Sequence, residues 1–171
     1  MIRRLALLSI LCLLAACATA SRVGAANDVH ALLVAIRDDD RAAFDAHVDR
    51  DALKAEMSSR LSREASRLKV DGLDLGRLGV VAAPALANLA GDALLQPRVF
   101  RQVAEAYGYT RDKPIPGTLA IASQLKARPD GRVCATREKD GPCVLVFTRS
   151  AEGRWRLSGF EGDISSLRIR L

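Results

Sequence analysis

Histidine is nearly absent from this chain, with only His30 and His47 among 171 residues. Aromatic residues make up 4% of the total, including one tryptophan. There is no Gly-x-Ser-x-Gly elbow, no glycine-rich phosphate loop and no His-Glu-x-x-His pair. Those absences argue against a serine hydrolase of the elbow type, a P-loop or dinucleotide site, and a zinc protease helix. His30 stands beside Val29 at a helix start and His47 on an apolar face. Both read as packing or capping residues, because no catalytic neighbour can be placed beside either. Cys134 and Cys143 are spaced too widely for a redox Cys-x-x-Cys and lack the close spacing and histidines of a zinc site. No cofactor and no metal is implied. Acid pairs such as Asp92 and Glu105 keep a small pocket enzyme open as an alternative.

An apolar run long enough to cross a membrane is also missing from the N-terminus. Arg3 and Arg4 precede Leu5 to Ala16, a run of 12 residues, where a spanning helix needs about 20. That length suits the core of a signal peptide. The run ends in Leu14-Ala15-Ala16-Cys17, which resembles the processing site of bacterial lipoproteins: a large apolar residue, two small ones and an obligatory cysteine. Ala16-Cys17-Ala18 and Ala18-Thr19-Ala20 also fit ordinary small-x-small secretion sites. The lipoprotein resemblance implies removal of residues 1–16 and lipidation of Cys17. Residues 17–27 would then form a tether and residues 28–171 a single α+β domain. Ala18 follows the cysteine in place of an inner-membrane-retaining aspartate, so the implied address is the periplasmic side of the envelope, with outer membrane favoured over inner.

Cleavage would take two arginines from a net charge of +6, leaving +4 (6 − 2). In the periplasm that balance points to anionic lipid headgroups or anionic protein partners rather than nucleic acid, or simply to a soluble basic surface. Of the four cysteines, Cys12 would leave with the signal and Cys17 would carry the lipid. Cys134 and Cys143 remain, an even pair in an oxidising compartment, and are expected to form a disulfide around the turn at Asp140-Gly141-Pro142.

Ala18 to Ala26 reads as small, polar and flexible. Asn27 is a candidate N-cap, and Val29, Leu32, Leu33 and Ile36 give a helix over 28–37. Asp38-Asp39-Asp40 is either a metal-binding cluster or a cap, and Asp40 is well placed to cap a helix over 41–48. Asp49 or Asp51 caps a third helix with Leu53, Met57, Leu61 and Leu68 as its seam. Arg60, Arg63 and Arg67 form its basic edge. Leu78 to Leu95 is the most apolar stretch of the remaining chain. Asp92 within it argues for a helix buried against a sheet rather than a membrane span. Pro97 opens a helix with Phe100, Val103, Ala104 and Tyr107 on one face and Gly108 as its stop. Lys113 to Gly117 is a proline-rich linker. Thr118 to Ala127 fits a short helix capped by Thr118, or a strand. Strands are predicted at 132–137, 143–148, 154–160 and 164–171, joined by short turns into an antiparallel meander. Trp155, Leu157 and Gly159 alternate with Arg154, Arg156 and Ser158, so one face is apolar and helix-covered. The other carries Arg154, Arg156, Arg168 and Arg170. Those arginines are either a solvated face paired to Glu152, Glu161 and Asp163, or a site for phosphates and carboxylates, including anionic lipid.

Asp38-Asp39-Asp40 before Arg41-Ala42-Ala43-Phe44, then Val48-Asp49 before Ala52-Leu53-Lys54-Ala55, resembles the opening of a bacterial family, domain of unknown function 2939. Leu89-Ala90-Gly91-Asp92-Ala93-Leu94-Leu95-Gln96-Pro97 and Gly153-Arg154-Trp155-Arg156-Leu157 resemble its later blocks. The resemblance implies no activity and no functional residue. Helices followed by a sheet with a Trp-bearing strand are also similar to cone-shaped nuclear-transport-factor-like domains, which implies a pocket between a curved sheet and its helices, and fold alone fixes no function. The expected protein is a non-catalytic envelope lipoprotein binding a partner or an apolar ligand. Intact mass spectrometry of the membrane-extracted mature chain should show an acylated Cys17 and an oxidised Cys134–Cys143 pair. A soluble, unlipidated product beginning at Ser21 would overturn the anchor.

Overall fold

The computed structural model describes residues 2–67, 85, 88–106, 108–138 and 141–161, with side-chain surroundings from Thr19 onward. A long helix α1 (Ile2–Asp38) comes first, then α2 (Arg41–His47) and α3 (Arg50–Arg67). A short helix α4 covers 88–94 and is followed by α5 (Pro97–Ala106) and α6 (Thr118–Ser123). Four strands follow: β1 (Leu125–Ala127), β2 (Val133–Thr136), β3 (Cys143–Arg149) and β4 (Trp155–Phe160). They pair in the order β1-β2-β3-β4, each neighbour antiparallel. The fold is α+β, N-terminal helices against one face of a C-terminal meander.

The caps carry the early helices as their chemistry dictates. Asp40 accepts the Ala43 N–H at 3.0 Å at the start of α2. Asp49 accepts the Ala52 N–H at 3.1 Å at the start of α3. Each satisfies a donor that the first turn leaves unpaired. The short link between these helices also borders the sheet. Val48 bridges Leu157 in parallel, and the Asp49 N–H donates to the Leu157 carbonyl at 2.8 Å. The open edge of β4 is thereby partly covered, which blunts it as a template for pairing with another chain.

The core is one layer between helices and sheet. α1 contributes Ala25, Ala26, Leu32 and Ala35, α2 contributes Phe44, and α3 contributes Leu53. The sheet answers with Leu125, Val133, Phe147, Trp155 and Leu157. Phe44 meets Phe100 of α5 edge to face at 5.2 Å between centroids. Small residues on α1 set how close it lies: a Cβ on Gly24 would stand 3.4 Å from the Trp155 indole nitrogen. On the far face of the sheet, Cys134 and Cys143 form a disulfide with their Cα atoms 5.5 Å apart, the pairing expected from the sequence.

Several local expectations change. Ala18 to Ala26 is not loose chain and Asn27 starts nothing, because α1 runs through both and buries Ala25 and Ala26 completely. Alanine is the best helix former, and here it also lets backbone approach backbone, so a small-residue stretch that reads as tether is core. Thr118 to Ala127 is both structures in turn, helix α6 and then strand β1, and the cap of α6 is Gly117, not Thr118. The four-stranded meander therefore begins one strand earlier than predicted, and residues 164–171 lie outside the described residues. The described part of the apolar stretch 78–95 is divided: Leu89 is 73% exposed and Leu94 49%, while Leu95 is buried in the core cluster. Leu61 and Val103, assigned to apolar seams, are exposed as well. Phe160, rather than Gly159, packs towards the core. The pairing shifts register between Val146 and Phe147, and a one-residue slip turns the end of a strand over. Gly108 ends α5 and Gly153 closes the β3–β4 turn as expected, with φ of 84° and 86°, the left-handed region that glycine enters without steric cost.

Candidate functional site

One concave site stands out among the described residues, and it lies where helices and sheet part company. α1 supplies Val29, Leu33 and Ile36, at i, i+4 and i+7 on one face. α5 supplies Arg101 and Ala104, and α6 supplies Ala120, Ile121 and Gln124. Leu125 of β1 and Ala135 of β2 form the floor. The outer wall is the linker 109–117. Its Pro114 and Pro116 have no N–H and fixed φ, so this stretch joins neither helix nor sheet: a turn closed by the Lys113 N–H on the Thr110 carbonyl at 3.0 Å leads into irregular chain along the opening. The cavity encloses about 350 Å³, within the ordinary range of small-molecule sites.

Its walls are apolar and its charged groups all carry one sign. Arg37, Arg101, Arg111 and Lys113 line it, and among the described residues no carboxylate and no imidazole does. The four differ in how far they are already engaged. Arg37 grips Asp38 through two hydrogen bonds of 2.7 and 3.1 Å, and that bond holds the Asp38 carboxyl below its usual range. Lys113 donates to the Gly108 carbonyl. Arg101 has only loose ionic neighbours, Asp39 at 3.7 Å and Glu105 at 3.9 Å. Its side chain is 17% exposed, and Nη1 is buried with no hydrogen-bond partner. A buried donor left open on a guanidinium costs free energy unless something accepts from it.

A second polar group sits at the junction of α1, α2 and β4. Asp28 accepts the Trp155 N–H at 2.8 Å through Oδ2, and its Oδ1 stands 3.5 Å from His47 Nδ1. That nitrogen is buried without a hydrogen bond. The His47 side chain is 13% exposed. Burial is the main cause that pushes its pKa below 6.5, with Arg154 and Arg156 adding to the shift and Asp28 opposing it. The imidazole is therefore held neutral at the edge of the core, and it does not line the pocket.

The residues singled out from sequence fall in different places. Arg154 is exposed, while Arg156 is half-buried and donates to the Val48 carbonyl at 2.6 Å, which ties it to the α2–α3 link. Arg168 and Arg170, and the side chain of Cys17, lie outside the described residues. Glu161 pairs with Arg128 rather than with the stripe. Asp92 and Glu105 do not meet in the pocket: Asp92 binds Lys54 at 2.6 Å on the surface, and Glu105 faces Arg101. The pocket cations were missed by the sequence reading. Their signal was there in Arg111 and Lys113 beside Pro114-Ile115-Pro116, basic residues on an apolar segment that cannot be regular.

A family model described as Protein of unknown function (DUF2939) matches residues 11–103, more than half of the chain. No curated protein and no solved structure matches it. The matched residues include the α1 wall of the pocket and Arg101, while the linker, α6 and the sheet follow them. The chain belongs to this family.

The His47 arrangement fixes the sign of a pH effect. The folded state titrates this imidazole below 6.5 and the unfolded state at about 6.5, so between the two the unfolded chain binds more protons. Stability then rises with pH through that window and is lost as pH falls below it. Urea unfolding of His47→Gln should lose less stability than the parent between about pH 7 and about pH 5, the range in which histidine titrates. Identical slopes for the two chains would contradict it.

Proposed function

We propose that this member of the DUF2939 family is a non-catalytic, ligand-binding envelope lipoprotein. Its domain holds an apolar molecule in the pocket between α1, α5, α6 and the proline linker. The observation that carries this reading is the pocket's composition: apolar walls, a cationic lining and no carboxylate or imidazole among its residues. Acid–base chemistry needs a group that can exchange a proton near neutral pH within reach of the substrate, and arginine and lysine are poor at that. A site between helices and sheet is also what similarity to nuclear-transport-factor-like cones implies.

The anchor is the second half of the proposal. Cys17, as the lipidated first residue, would belong to α1 itself, eight residues before Ala25 in the core. At about 1.5 Å per residue that is roughly 12 Å of helix, so the domain would ride directly on its membrane. The periplasmic side of the envelope, with outer membrane favoured over inner, remains the proposed address.

Direct binding of anionic lipid by the sheet face is the weaker reading. Arg156 already spends a guanidinium hydrogen bond on Val48, which supports a structural part for it.

A fluorescence titration tests the pocket. The folded protein should bind an apolar naphthalene-sulfonate dye with saturable stoichiometry of one. Ala120→Trp, at an exposed position on the pocket wall, should abolish that binding while leaving thermal unfolding unchanged. Absence of saturable binding in the parent chain would remove the reading.

A further inference from the structure

We infer that the pocket's ligand is a single-chain amphiphile with a compact anionic head, its chain against α1 and α6 and its head on Arg101. This deepens the ligand-binding reading above and rests on it. Three observations point the same way. Val29, Leu33, Ile36, Ile121 and Leu125 form an apolar surface that suits a hydrocarbon chain, while the neutral polar groups of the lining are few: Tyr109, Thr110 and Gln124. The charged groups lining the same cavity are all cations; Arg37 is already paired with Asp38, which leaves Arg101, Arg111 and Lys113 without a carboxylate at hydrogen-bond distance among the described residues. Arg101 alone among them presents a buried guanidinium nitrogen with no acceptor, and its two carboxylate neighbours stand at 3.7 and 3.9 Å, too far for hydrogen bonds.

A carboxylate or phosphomonoester fits that position chemically. The guanidinium fork offers planar paired donors that match two oxygens of either group. Arg101 lines the cavity and its side chain makes no hydrogen bond among the described residues, so an anionic head that meets its guanidinium gains a charge-assisted bond that displaces no existing one. Arg111, exposed on the linker, would add long-range attraction that weakens with salt. A zwitterionic or cationic head gains none of this, because it brings positive charge to a cationic opening. The family of ligands is thus defined by charge and chain number: one apolar chain, one small anion.

Isothermal calorimetry on the full mature protein tests this with four probes of equal chain length: dodecanoate, dodecyl phosphate, dodecanol and dodecyltrimethylammonium. Dodecanoate or dodecyl phosphate should bind at least tenfold more tightly than dodecanol, and the ammonium should bind most weakly. The better of the two anions identifies the head, while acetate and inorganic phosphate, which lack the chain, should show no measurable binding. Shortening the chain of the better anion should weaken binding by about fourfold per methylene, from roughly 0.8 kcal/mol for each one buried. Arg101→Met should cost the anion about 10- to 100-fold, the range for a hydrogen bond to a charged group, and leave dodecanol unchanged. If Arg101→Met does not fold, Arg111→Met on the exposed linker takes its place, with a smaller loss for the anion that vanishes in high salt. Equal affinity of the anions and dodecanol, unaltered by either substitution, overturns the anionic-head inference and leaves an apolar ligand standing. No binding of any chain overturns the ligand-binding reading itself.

Discussion

The hydrogen bond of longest reach among those that join the helices to the last described strand ties α1 to β4. The Asp28 carboxylate, on the first helix, accepts the N–H of Trp155, the first residue of the last described strand, at 2.8 Å and across 127 residues of sequence. A charged acceptor on a backbone donor at the edge of the core is worth about 1.5 to 3 kcal/mol. It also fixes geometry. Above it Trp155 packs beside Gly24, and beside it the uncharged His47 fills the corner between α2 and β4. The Val48–Leu157 bridge extends the same seam by two residues. α1 consequently lies along the sheet with Leu32 and Ala35 buried, and its Val29, Leu33 and Ile36 are left to line the pocket.

The pocket follows from where that packing stops. The chain between α5 and α6 carries two prolines in three residues and cannot supply regular structure there. What remains is a cavity walled by apolar side chains with four cations around it. Three of those are engaged to different degrees with Asp38, with the Gly108 carbonyl, or loosely with Asp39 and Glu105. Among the described lining residues, Nη1 of Arg101 is the buried side-chain nitrogen that has no hydrogen-bond partner.

Much of the fold was legible because it rests on local chemistry. Asp40 and Asp49 cap as aspartate should. The pairing of Cys134 with Cys143 followed from the count of cysteines left by the expected processing at Cys17. The meander followed from alternation and short turns. The failures share a cause, which is that small residues are ambiguous. Ala18 to Ala26 reads as tether by polarity and as helix by propensity, and tertiary contact with Trp155 decides. Leu89 and Leu94 read as core by hydropathy, yet Asp92 between them reaches out to Lys54 and the helix turns its leucines to the surface. The pocket was illegible for a different reason. Its cations come from α1, α5 and the linker, and no spacing in one dimension announces that Arg37, Arg101 and Lys113 converge.

Because α1 is part of the core, the seam with β4 and the pocket wall are one rigid element. Hydrogen–deuterium exchange of the purified protein tests that most directly. The amides of Ala25 and Ala26 should exchange as slowly as those of Val146 and Phe147 in β3, since all four are buried in hydrogen-bonded structure. Exchange of residues 19–27 at the rate of free chain, with β3 still protected, would contradict the account and return this stretch to the role of a flexible tether.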